Sequence, residues 1–203
     1  MSGRLLIQAR QLGFERQGEP IFQTMDLDLV AGGASIVLGP NGCGKTTLLR
    51  CLAGVIRPTS GELACHGRRA LLGHLPAIKA ELTCRENLDF LRRFHGRPAL
   101  ATNPALARVG LAGLGLRPAR TLSAGQKRRL GLAGLLVARR EIWLLDEPYA
   151  SLDNAGGELV DQLLDEHLDN GGTVALSTHQ RLPQINAPTR LIELTTPAKD
   201  VHS

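Results

Sequence analysis

Gly39-Pro40-Asn41-Gly42-Cys43-Gly44-Lys45-Thr46 constrains this chain more than any other stretch of it. It satisfies GxxxxGK[ST] at every fixed position and lies between an apolar run, Ala34 to Leu38, and a helix-like segment, Lys45 to Val55. That is strand, loop, helix, the setting in which the pattern carries meaning. The glycines let backbone N–H groups converge on phosphate oxygens, and the following helix adds its positive end. Lys45 then reaches the outer phosphates, the Thr46 hydroxyl is placed for Mg²⁺, and Thr47 completes the phosphate-binding stretch. Cys43 contributes its backbone. A tight glycine-rich turn would account for the glycines, but not for Lys-Thr opening a helix behind a buried strand.

The rest of the chain supplies what such a loop needs. Ile142-Trp143-Leu144-Leu145-Asp146-Glu147 is an apolar strand ending in two acids. Asp146 is read as a holder of the metal shell and Glu147 as the carboxylate facing an attacking water, because phosphoryl transfer needs positioning, charge neutralisation and a base for water. Alone, such a strand would simply run into a surface turn; beside the phosphate loop the acids gain a task.

Around these motifs the pattern alternates. Up to about Leu29, apolar stretches broken by Gly13, Gly18 and Pro20 predict short antiparallel strands. Arg57–Gly67 reads as turn plus strand and Ala70–Leu72 as a further core strand. Residues 77–138 turn helical, with breaks expected at Pro98, Pro104 and Pro118. Strand-like Ile142–Leu145, helical Gly157–Leu168 and strand-like Thr173–Ser177 then predict a mostly parallel sheet flanked by helices, and the tail after Leu194 is expected to be loose.

Composition narrows the class further. At 203 residues the chain has room for one full core, so a single domain over 1–203 with a helical lobe inserted at about 77–138 is expected. The net charge of +5 suits anionic partners, yet aromatics are only 3%, too few for base-stacking platforms, which argues against a nucleic-acid module. Lys127-Arg128-Arg129 and similar basic clusters read as solvated helix faces. Cys43, Cys51, Cys65 and Cys84 form no CxxC pair and fit a reducing compartment. His66, His74, His95 and His167 read as ordinary polar positions, His74 also as part of the loop discussed below. The N-terminus lacks a signal-peptide core, and the longest apolar run, Leu130 to Ala138, is too short to span a bilayer, so no direct lipid insertion is expected.

Leu122-Ser123-Ala124-Gly125-Gln126 chooses among the families that share these two motifs. It resembles the LSGGQ signature of ABC ATPases, with Ala124 for the first glycine; a helix N-cap would explain Ser123 alone. Ala150-Ser151-Leu152-Asp153 resembles that family's D-loop and Ser177-Thr178-His179-Gln180 its switch histidine. The resemblance covers nearly the whole chain. It implies an α/β P-loop NTPase fold of ABC ATPase type: a mostly parallel core sheet, an N-terminal antiparallel β subdomain and an inserted helical subdomain. It implies ATP and Mg²⁺ as ligands, hydrolysis by Glu147 with His179 at the γ-phosphate, metal ligation by Thr46 and Asp146, and a D-loop role for Asp153. Ser123, Gly125 and Gln126 would bind ATP held by a second copy in a homodimer.

Two positions depart from the family pattern. The aromatic residue expected to stack on adenine falls at Arg16, whose guanidinium plane can also stack, with Phe14 as the nearest aromatic. In Gly73-His74-Leu75-Pro76 the Q-loop glutamine is absent, and His74 or Leu75 takes its place. The strings GHLPAIKAELTCRENLDF, LSAGQKRRLGLAGLLVARREIWLLDEPYASLD and GGTVALSTHQ resemble the ATP-binding subunits of bacterial haem exporters of cytochrome c maturation. That likeness implies integral-membrane permease partners, a position on the cytoplasmic face of the inner membrane, and coupling to delivery of haem or release of a haem-carrying chaperone. Competing classes are another small ABC exporter, a soluble ABC ATPase acting on ribosomes or DNA, and a nucleotide-binding module without turnover. A ribosome- or DNA-directed ATPase usually carries two nucleotide domains or a long inserted arm, and a module without turnover would lack Glu147.

Overall fold

The computed structural model describes residues 3–95, 100–179 and 181–195. Gln180, Pro98 and the end of the tail lie outside the described residues, as does the side chain of His95.

The chain opens with a hairpin, β1 (Leu5–Arg16) and β2 (Glu19–Val30). Its turn is Gln17-Gly18, both at positive φ, 57° and 82°, the mirror-image turn that matches strand twist. These strands are long, not the short ones that the scattered turn residues predict. Gly13 lies inside β1, where a Cβ would come within 2.5 Å of Ser60 Oγ, and Pro20 sits at the second residue of the outer strand β2. Both are tolerated without ending the ladder. With β4 (Ser60–Cys65) they form an antiparallel sheet in the order β2-β1-β4.

The second sheet runs β5-β6-β7-β3-β8, with every neighbouring pair parallel. Its strands are β3 (Ala34–Leu38), β5 (Arg69–Leu72), β6 (Ile142–Asp146), β7 (Thr173–Ser177) and β8 (Thr189–Glu193). Strand β6 is buried throughout, and the period of two divides its side chains between two cores. Trp143 and Leu145 join Leu130, Leu163 and Leu164 on the face covered by the later helices; Ile142 and Leu144 join Leu48, Leu52, Leu6 and Phe22 on the other. The antiparallel sheet and α1 (Lys45–Ala53) therefore cap one face, and the helices over Ala124–Ala138 and Asn154–Asp169 cap the other.

Between β5 and β6 come α2 (Cys84–His95), α3 (Thr102–Arg108) and α4 (Ala124–Ala138); α5 (Asn154–Asp169) follows β6. Residues 77–83 are not helical: the Asn87 side chain bonds the Lys79 N–H and the Lys79, Leu82 and Thr83 carbonyls, holding this segment as a loop. Pro104 does not break α3 but lies in its first turn, where its missing N–H costs nothing. Helix α1 ends at Ala53, before Val55, because Gly54 takes the left-handed conformation and caps it.

Candidate functional site

The glycine loop hangs between β3 and α1 with Gly39, Gly42 and Gly44 all at positive φ. At Gly39 the requirement is also steric, since a Cβ would fall 2.3 Å from the Leu194 carbonyl oxygen and 2.6 Å from Cys43 Sγ. Cys43 is itself fully buried under the loop. Lys45, only 8% exposed, folds back so that Nζ donates to the carbonyls of Gly39 (2.7 Å) and Pro40 (3.0 Å). Its charge is thus presented at the loop's mouth by carbonyls that phosphate oxygens can replace as acceptors.

Facing the loop is the end of β6. The Thr46 hydroxyl donates to Asp146 Oδ2 at 2.7 Å, and the Ser177 hydroxyl, at the end of neighbouring β7, donates to Asp146 Oδ1 at 2.7 Å. Glu147 turns the chain out of the strand at φ 51°, a left-handed conformation that costs a non-glycine residue on the order of 1 kcal/mol. Its N–H donates to Ser177 Oγ at 3.1 Å, which helps hold the turn. The carboxylate points to His179, whose Nδ1 lies 2.6 Å from Glu147 Oε1 and donates to it.

A cavity of about 400 Å³ gathers these groups, lined by Asn41, Gly42, Gly44, Lys45, Thr46 and Thr47 from the loop, and by Asp146, Glu147, His179, His74, Arg16 and Ile21 around it. Of the two stacking candidates, Arg16 lines this space, whereas Phe14 packs against the apolar cluster beneath the antiparallel sheet. Of the two residues at the missing glutamine, His74 lines the cavity, and Leu75 is 83% exposed and does not.

Ser123, Gly125, Gln126 and Asp153 are not brought to this cavity. Ser123 is the N-cap of α4: its Oγ accepts from the Gln126 N–H at 3.2 Å while Gln126 Oε1 accepts from the Ser123 N–H at 3.0 Å, a closed capping box. Gly125 lies under Ser151, whose carbonyl oxygen would be 2.7 Å from a Cβ there. Asp153 caps α5 by accepting from the Gly156 N–H at 2.8 Å, the main reason its carboxyl is held below the usual range, and it also pairs with Arg129 of α4 at 3.3 Å.

Two residues at the site were not singled out by sequence. In the sequence Ser177 stands out only as the first residue of Ser177-Thr178-His179-Gln180, although a hydroxyl at the end of a strand adjacent to the Asp-Glu strand is a usable signal. The run Lys127-Arg128-Arg129 predicts a solvated face, but Arg128 is 3% exposed and bonded to the carbonyls of Gly73 and His74. Burial lowers its pKa, while the Asp146 and Glu147 charges act in the opposite sense.

A phosphate loop on a parallel sheet, with its lysine and threonine set against an acidic strand end, defines a P-loop nucleotide-hydrolysing domain. Residues 22–150 match the ABC transporter family, and the chain belongs to it as an ATP-binding ATPase subunit. Among curated relatives, the cytochrome c biogenesis ATP-binding export protein CcmA of Xanthomonas campestris pv. campestris (strain 8004) is 44% identical over 204 residues, covering 95% of each chain. CcmA of Pseudomonas syringae pv. syringae (strain B728a) is 42% identical over 203 residues, covering 93% of this chain and 94% of that one. Among solved structures, an inward-facing metal-chelate type ABC transporter superposes with a TM-score of 0.80 at 27% identity, covering 95% of this chain and 81% of that chain.

Proposed function

We propose that this chain hydrolyses MgATP as a homodimer and thereby drives membrane subunits that export haem, or release a haem-carrying chaperone, during cytochrome c maturation. The observation that carries the chemical part is the single cavity in which Lys45, Thr46, Asp146, Glu147 and His179 meet. The cytochrome part is supported by the CcmA relatives, whose similarity spans almost their whole length.

The residues fit magnesium. Thr46 Oγ1 and Asp146 Oδ2 are hard oxygen donors 2.7 Å apart, and Mg²⁺ takes one or two such protein ligands beside phosphate oxygens and water. Thr46 and Asp146 would hold the ion, which would supply positive charge against that of the phosphates in the transition state. Ser177 fixes the Asp146 carboxylate for that task. Lys45 binds the outer phosphates, and the loop N–H groups orient them. Glu147 accepts the proton of the attacking water, with His179 Nδ1–H holding its carboxylate in place, and a ring protonated on both nitrogens would also donate from Nε2 to the γ-phosphate. His74 and Arg16 complete the walls, His74 toward the phosphates and Arg16 as the plane on which the base rests.

Ser123, Gly125 and Gln126 serve a second copy. They sit at a helix N-terminus away from this chain's own loop, and the Ser123 hydroxyl, although accepting from Gln126, keeps its O–H free to donate to a phosphate oxygen. The helices between β5 and β6 form the lobe that presents them, within one ATPase domain. No helix among the described residues is long and apolar enough to cross a membrane. Integral-membrane permease subunits carry the transport path, and this subunit docks on their cytoplasmic side, a reading supported by the ABC transporter family match and the CcmA relatives.

The test is complementation in a strain whose copy of the gene is deleted. Wild type is expected to restore covalently haem-loaded cytochrome c and to co-purify with multi-span membrane proteins, and Lys45→Ala to restore no cytochrome. Normal cytochrome c in the deletion strain would refute the assignment to this process.

A further inference from the structure

Arg128 belongs neither to the phosphate loop nor to the acidic strand end, yet it is among the most completely buried charges of the described residues. It projects from the second turn of α4, beyond the Ser123 cap, and its two terminal nitrogens divide between adjacent carbonyls: Nη1 donates to Gly73 at 2.9 Å and Nη2 to His74 at 2.7 Å. The planar guanidinium fork aims two separate nitrogens at two successive carbonyls in one fixed geometry. One helical turn further on the same face, Gly131 lets α4 approach the other end of the same loop: a Cβ there would lie 2.7 Å from Leu72 Cδ1 and 3.1 Å from Pro76 Cβ. The segment Gly73-His74-Leu75-Pro76 is thus gripped by α4 at both ends. Its one side chain in the nucleotide cavity is His74.

We infer that Arg128 is a positioning residue for hydrolysis, fixing the His74 backbone so that the imidazole stays on the phosphate side of the cavity. The inference rests on the proposed place of His74 at the γ-phosphate or lytic water. It also joins two functions through one helix. The N-terminus of α4 carries Ser123 and Gly125, and its second turn holds the loop that lines this chain's own nucleotide site. A displacement of α4 on engagement of a partner's ATP therefore carries His74 with it.

The experiment is a double-mutant cycle in the full chain, with kcat measured by phosphate release and affinity by a fluorescent ATP analogue. Arg128→Gln is expected to lower kcat by about tenfold or more, since small misplacements of a group at the reacting centre cost that much. Affinity should stay within about twofold, because Arg128 does not touch the nucleotide. In the His74→Ala background the same substitution should change kcat by less than about twofold, because residues acting through one another are strongly non-additive. Should Arg128→Gln fail to fold, Arg128→Lys keeps the charge and the buried stem, and the same cycle applies with a smaller loss. Unchanged kcat in the Arg128 variant, or an equal loss with and without His74, overturns the positioning role and leaves His74 in place. Wild-type turnover by His74→Ala alone overturns the reading of His74, and the role of Arg128 with it.

Discussion

Replacing Ser177 by alanine removes one oxygen from the fully buried end of β7 and leaves the strand otherwise intact. That oxygen donates to Asp146 Oδ1 at 2.7 Å and accepts from the Glu147 N–H at 3.1 Å. The Glu147 N–H has a second acceptor, the Ser177 carbonyl at 3.2 Å, so its loss is cushioned; the Asp146 carboxylate, 3% exposed, keeps only Thr46 as its other hydroxyl donor. A hydrogen bond to a charged group contributes about 1.5–3 kcal/mol, and Ser→Ala opens almost no cavity, so a loss of about 2 kcal/mol is expected. Urea denaturation should show a lower midpoint at unchanged slope. Hydrolysis should fall by about tenfold, because Asp146 and Glu147 share this anchor and lose their relative placement together. A loss below about 0.5 kcal/mol, the scatter of ordinary surface changes, with unaltered turnover would refute the reasoning.

Burial against Trp143, at a ring separation of 3.9 Å, pushes the His167 pKa down to about 4 from 6.5. The unfolded chain therefore binds this proton first as pH falls through 6.5, and stability is lost between there and about 4, by up to about 3 kcal/mol; His167→Phe should flatten that part of the stability–pH curve, and an unchanged curve would contradict the burial. Lys45→Ala should abolish binding of a fluorescent ATP analogue, since no other loop residue supplies a cation; retained affinity with retained hydrolysis would displace the site. Mixed dimers with one Ser123→Ala subunit should lose one composite site, read as half the phosphate burst, whereas a full burst would mean that Ser123 does not act across the dimer.

The sequence carried the chemistry further than it carried the topology. Strands β3, β6 and β7 are buried on both faces, so each reads as a mainly apolar run with its few polar residues small or at the strand ends, and the loop after β3 has almost no alternative reading. Strand β8 escaped notice because it lies at the sheet edge, where among Thr189, Arg190, Leu191, Ile192 and Glu193 only Ile192 is buried. Pro104 misled because a proline's effect depends on which turn of a helix it occupies, and nothing local announced that Ala101 was the cap. Arg128 was hidden for a related reason. Three consecutive basic residues on a helix point in different directions, and only the position of the Gly73–His74 carbonyls decides which of them is buried. The choice of Arg16 over Phe14, and of His74 over Leu75, likewise needed the cavity to be seen.

Glu147→Gln tests the central claim most directly, because it keeps the shape of the side chain and removes only the base. Purified with its membrane partners, the variant should bind MgATP with wild-type affinity, accumulate as an ATP-bound dimer, and lose at least about 99% of steady-state hydrolysis, within the 10²–10⁴-fold that a positioned base contributes. Steady-state turnover near the wild-type rate, with ATP binding intact, would contradict the account.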